Sequence, residues 1–175
     1  MAGVYYFRDM HKRFIIALLA VIIMFIVMRL QGQSLITPAS LLGILDLEFA
    51  RTEERLQQLL IFWNAKDIYT NIFLDFLFIA AYTWFFLEAL KMLQSGKNSN
   101  FFRVLVIITL LAAILDVAEN LLMLVVIKHA ATSTLITIYW IAIIKFLSAG
   151  LVLLILFYLA LYRYFFQKIL HSNKT

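Results

Sequence analysis

The chain contains no cysteine. That excludes disulfides, thiolate metal ligands, a catalytic thiol and cysteine palmitoylation. Proline occurs once and glycine five times in 175 residues, and no low-complexity tract is present. With so few breakers, no flexible linker is expected, and the length suits one domain over residues 1–175. Charge is also scarce. Only 14% of residues are Asp, Glu, Lys or Arg, against about a quarter in a soluble domain. In their place stand 65% apolar residues and a mean hydropathy of +0.96. An apolar excess of that size must face lipid. The net charge of +5 comes from basic residues at the ends of apolar runs. Membrane topology accounts for them, so no nucleic-acid partner is expected.

A spanning helix needs about 20 mostly apolar residues. Four segments qualify: 14–30, 68–87, 104–127 and 134–162. The first follows Arg8, Lys12 and Arg13 and lacks a small-residue cleavage site, so it reads as a retained signal anchor. The last is long enough to tilt or to project beyond the bilayer. The fold expected is an all-α integral membrane four-helix bundle. Orientation follows from Lys and Arg near the helix ends. One side collects Arg8, Lys12, Arg13, Lys91, Lys97, Arg103, Arg163, Lys168 and Lys174. The other has Arg29, Arg51, Arg55, Lys66 and Lys128. The richer side, with both termini, should be cytoplasmic.

The outer loop, residues 31–67, is the one sizeable piece outside the spans. Thr37-Pro38 looks like a helix N-cap with Pro at the first helical position. Thr52 can cap a second helix, with Glu53 and Glu54 in its first turn. That helix carries Leu56, Leu59, Leu60 and Trp63 on one face, as an amphipathic helix lying at the interface does. It reads first as a lid on the bundle and second as a ligand-contacting element.

The chemistry lies inside the spans. Asp75, Asp116, Glu119 and Lys145 fall within apolar runs, and Asn120 adds an amide. Four uncompensated charges would cost roughly 10–14 kcal/mol in total at helix centres. Helical rise places Asp75 about 9 Å, Glu119 about 12 Å, and Asp116 and Lys145 about 16 Å below the outer boundary. All four therefore share one slab, and the matched depths of Asp116 and Lys145 predict a pair. Asp116, Glu119 and Asn120 share a helix face, as do Asn71, Asp75 and Tyr82, and each face should point inward. Three carboxylates against one ammonium leave an excess of two negative charges. A proton, a bound cation or a hydrated cavity must balance it.

Two more carboxylates, Asp46 and Glu48, alternate with apolar residues in the outer loop. They read first as solvated, second as a re-entrant segment dipping toward the cluster. Glu88 and Lys91 read as a surface pair. His11, His129 and His171 sit at or beyond helix ends without ligand spacing.

The stretch Ile44-Leu45-Asp46-Leu47-Glu48-Phe49-Ala50, Trp63, Leu74-Asp75-Phe76-Leu77-Phe78 with Tyr82, and Leu115-Asp116-Val117-Ala118-Glu119-Asn120 resembles a group of small bacterial four-helix membrane proteins. The resemblance implies a bacterial inner membrane and brings no activity with it.

Three functions compete. The first is a pocket, opening outward, that binds or moves a cation or a lipid-like amphiphile. Its candidate residues are Asp75, Asp116, Glu119, Asn120, Lys145, Tyr82, Asn71, Asp46 and Glu48. The second is a membrane-embedded enzyme acting on a lipid or isoprenoid through buried carboxylates, with or without Mg²⁺ or Mn²⁺. The third is an assembly subunit. The sequence names no cofactor, no ligand and no oligomeric state.

Overall fold

The computed structural model describes residues 2–94 and 99–172; side chains are described for 9–94 and 100–164. The side chains of Arg8, Lys97, Lys168, His171 and Lys174, invoked above, lie outside the described residues. Among those described, every regular element is helical. The long helices are α1 (Ala2–Gln31), α4 (Ala65–Leu93), α5 (Ser99–Lys128) and α6 (Thr132–Ser172). Two short ones, α2 (Leu45–Glu48) and α3 (Glu53–Phe62), lie in the loop between α1 and α4. All four long helices are long and apolar enough to cross a membrane, and the chain is an integral membrane protein. Each outlasts its hydrophobic run by several residues, because polar ends continue the helix past the hydrocarbon boundary. At 41 residues, α6 is about 60 Å long, twice the hydrocarbon thickness of about 30 Å.

The exterior is apolar: Leu30, Leu77, Ile114, Leu147, Leu154 and Phe157 are all well exposed. α4 is the central helix. It packs along α1, α5 and α6, and α5 packs along α6. α1 packs mainly along α4 and only loosely beside α6. The bundle is therefore open on one side, with a cleft between α1 and α6 floored by α4.

The loop end is well packed. Thr52 caps α3, its side-chain oxygen accepting from the Arg55 N–H at 3.2 Å. Leu56, Leu59 and Trp63 of this helix are buried against Ile68, Met123, Val126, Leu135 and Ile138 near the ends of α4, α5 and α6. The Trp63 indole N–H donates to the Leu35 carbonyl at 2.8 Å and lies 3.0 Å from the Ser40 hydroxyl. Glu53 accepts from the N–H and hydroxyl of Thr132, at 3.0 and 2.9 Å, and so ties α3 to the start of α6. α3 is the lid the sequence predicts, but it is apolar on more than one side: Ile61 and Phe62 are exposed.

Two expectations change. Thr37-Pro38 starts a tight turn, not a helix: Thr37 and Ser40 exchange backbone hydrogen bonds at 3.2 and 3.0 Å. Proline suits the second position of such a turn as well as it suits a helix start. Glu88 is buried rather than at the surface, though it does bind Lys91, at 2.7 Å.

Candidate functional site

The site forms where α2 folds back against α5 and α6. Gly43 makes this possible. Its φ of +64° is left-handed, a conformation glycine adopts without the Cβ clash. The reversal turns the next helical turn inward, so Leu47 and Glu48 are buried while Phe49 stacks on Phe146 and meets Tyr139 edge-on. The expectation of a solvated loop therefore fails at Glu48. The apolar residues on either side of it carry the carboxyl down with them.

Glu48 reaches the Lys145 ammonium of α6 at 3.3 Å. Asp116 and Glu119 of α5 approach the same nitrogen at 2.7 and 3.0 Å. Glu119 is fully buried, and the other three are at most 8% exposed. Three carboxyl groups from two elements thus surround one ammonium. Tyr82 of α4 donates its hydroxyl to the second Asp116 oxygen at 3.0 Å. One turn away, the Asn120 amide donates to Asp75 at 2.7 Å. Depth and facing, read from the sequence, bring Asp75, Tyr82, Asp116, Glu119, Asn120 and Lys145 together.

Two candidates stand differently. Asn71 is buried and touches the site's edge, where it donates to the Gln31 side chain and ties α4 to α1. Asp46 is not part of the cluster. It accepts from the Leu42 N–H at 2.8 Å and pairs with Arg55 at 3.1 Å, closing the loop.

The charge imbalance is larger than the sequence implied. Glu48 joins Asp75, Asp116 and Glu119, so four carboxyl groups face one ammonium. Glu119 Oε1 is buried with neither a hydrogen-bond nor an ion-pair partner, and Glu48 and Glu119 lie within hydrogen-bonding reach of each other. Two carboxylates cannot bond without a proton between them. Burial pushes Glu48 above the ordinary glutamate range, against the pull of Lys145. One proton is therefore shared by the Glu48–Glu119 pair. Three carboxylates then face Lys145, and Arg29, which lines the adjoining cavity, leaves one negative charge in excess.

Beside the cluster lies a cavity of about 270 Å³, at the end of the bundle that carries the 32–64 loop. Glu48, Asp75, Asp116 and Lys145 line it. So do the rings of Phe25, Phe78 and Phe146, and Arg29. Lys145 Nζ already lies 4.8 Å over the Phe146 ring. Negative charge and aromatic faces both favour a cation. Among the described residues, no group of three or more His, Asp or Glu side chains is arranged to hold a metal ion; the Lys145 ammonium occupies the centre of the carboxyl set.

Sequence reasoning missed the phenylalanine wall and Arg29. Phe25 and Phe146 look like ordinary lipid-facing residues in apolar runs, and no one-dimensional signal marks them. No family model, curated protein or solved structure matches the chain.

Proposed function

We propose that this protein binds a cationic group in the acidic intramembrane cavity at its loop end. The carrying observation is the excess of carboxyl groups around Lys145, beside a cavity they share with three aromatic rings. A buried site with net negative charge is costly unless something positive enters it. Holding a ligand and passing it on both need the same site. Lys and Arg asymmetry supports an orientation with the loop end outside and both termini in the cytoplasm. The resemblance to small bacterial proteins supports an inner-membrane location.

The absence of native cysteine makes the orientation simple to test. Single cysteines at Ser34 and at Gln94 should label oppositely with a membrane-impermeant maleimide on intact cells. Labelling at Gln94 but not Ser34 would reverse the topology.

The binding reading is tested on purified protein in uncharged nanodiscs, with dodecyltrimethylammonium as probe. Asp75→Asn removes one charge from the cavity wall while leaving an oxygen for the Asn120 amide. Binding should weaken about tenfold, the equivalent of about 1.4 kcal/mol. Equal affinity in the two proteins would refute the reading.

One observation favours an enzyme as second reading. Glu48 lines the cavity and shares a proton with Glu119, which is the equipment of a general acid acting on an apolar substrate. Turnover of an isoprenoid by the wild type, lost in Glu48→Gln, would establish it.

A further inference from the structure

The acidic cavity does not end at the cluster. A second cavity, of about 290 Å³, shares Phe78, Asp116, Lys145 and Phe146 with it. It continues between α1 and α6, lined by Val21, Phe85, Ala149 and Leu153. A third, of about 210 Å³, shares Phe85 and Leu153 with the second and ends among Phe14, Phe157 and Ala160. The third has only apolar side chains in its wall. Sharing lining residues in this order, the three follow one another along the cleft between α1 and α6. From Lys145 to Ala160 it runs fifteen residues along α6, about 22 Å. Charge sits at one end of this track and hydrocarbon along the rest.

We infer that the ligand is a single-chain amphiphile whose cationic head lies against Glu48, Asp75 and Phe78 and whose tail runs down the α1–α6 cleft. This rests on the cation-binding reading above and adds the ligand class and the route of the tail. Charge complementarity selects the head. Three carboxyl groups, Glu48, Asp75 and Asp116, outnumber the two cations of the wall, Lys145 and Arg29, and with Glu119 behind them they disfavour a phosphate or carboxylate head, while the rings of Phe25, Phe78 and Phe146 suit an alkylammonium. Geometry selects the chain. A free cation would use the first cavity alone and leave the apolar track without a role. A ligand held this way enters sideways from the bilayer, because the cleft is open to lipid along its length. Its head therefore need not cross the lid.

The test is photolabelling of the full chain in nanodiscs. The probe is an alkyltrimethylammonium with a diazirine near its terminal methyl. Two control probes carry the same tail on a phosphocholine head and on a sulfate head. The inference predicts that the ammonium probe labels α1 and α6 around Phe14, Leu153 and Phe157, and that unlabelled dodecyltrimethylammonium competes. Labelling there should fall at least fivefold for both control probes. Ala149→Phe, which narrows the track without touching the head site, should move the label out of the cleft. If that variant fails to fold, the wild-type label map still decides.

Three results would overturn the inference. Equal cleft labelling by all three probes would mean that ordinary bilayer lipid fills the track. Labels spread over the whole lipid-facing surface, with Asp75-dependent binding intact, would remove the tail route and leave the cation site standing. Labels spread in the same way, with no Asp75-dependent binding, would remove both.

Discussion

Lys145→Met is the most informative single substitution. The ammonium lies 2.7 Å from Asp116, 3.0 Å from Glu119 and 3.3 Å from Glu48. At an effective dielectric constant of about 20, one full charge pair at such a distance is worth on the order of 5 kcal/mol. Desolvating the ammonium takes back several kcal/mol. Methionine recovers the packing of the stem and none of the charge. What remains is a set of buried carboxyl groups without a counter-ion, a situation that costs about 3–5 kcal/mol when a buried pair is broken from one side. The assay is reversible unfolding in mixed micelles, read by tryptophan fluorescence. The compensating experiment is Lys145→Met combined with Glu119→Gln. Neutralising one carboxylate should recover at least about 1 kcal/mol, since neighbouring charges couple non-additively. If Lys145→Met costs less than about 1 kcal/mol and the double substitution recovers nothing, the cluster is not electrostatically coupled and the reasoning fails.

Other outcomes follow from the same geometry. Burial raises Glu48 above the ordinary glutamate value of 4.5, so the folded state holds a proton that the unfolded state releases. Its contribution to stability is complete below that value and declines as pH rises toward its folded pKa, with a slope of at most about 1.4 kcal/mol per pH unit. Glu48→Gln should flatten this decline in a pH series of unfolding curves; an unchanged series would place the proton elsewhere. Tyr82→Phe removes the hydroxyl that donates to Asp116 at 3.0 Å and should cost about 1.5–3 kcal/mol in the same assay. Trp63→Phe removes one of two donors to the buried Leu35 carbonyl, leaving the Ser40 hydroxyl at 2.7 Å, and should cost about 0.5–1.5 kcal/mol. A loss below about 0.5 kcal/mol would mean that the indole bond does not hold the lid.

Much of this was legible in the sequence, for identifiable reasons. Four apolar runs fix four spans because lipid permits few alternatives to a helix. The slab of Asp75, Asp116, Glu119 and Lys145 could be read because helical rise is constant, and their facing because unpaired charge cannot turn to lipid. The Asp116–Lys145 bond at 2.7 Å follows from those two rules alone. Glu48 was harder. Alternation of Asp46 and Glu48 with leucines suits a surface turn as well as a re-entrant one. What decides it is the left-handed Gly43 and the anchoring of Leu47, and both depend on packing between distant segments. Arg29 reads as a topology marker, and nothing in the sequence places it in the cavity wall. The cleft was not legible, since the spacing between α1 and α6 leaves no trace in the composition of either helix.

The most direct measurement is an experimental structure of the protein in nanodiscs with dodecyltrimethylammonium present. The account predicts density for the ammonium head among Asp75, Glu48 and the Phe25, Phe78 and Phe146 rings, with the chain continuing between α1 and α6. A cavity holding only water, with the amphiphile confined to the surrounding bilayer, would contradict it.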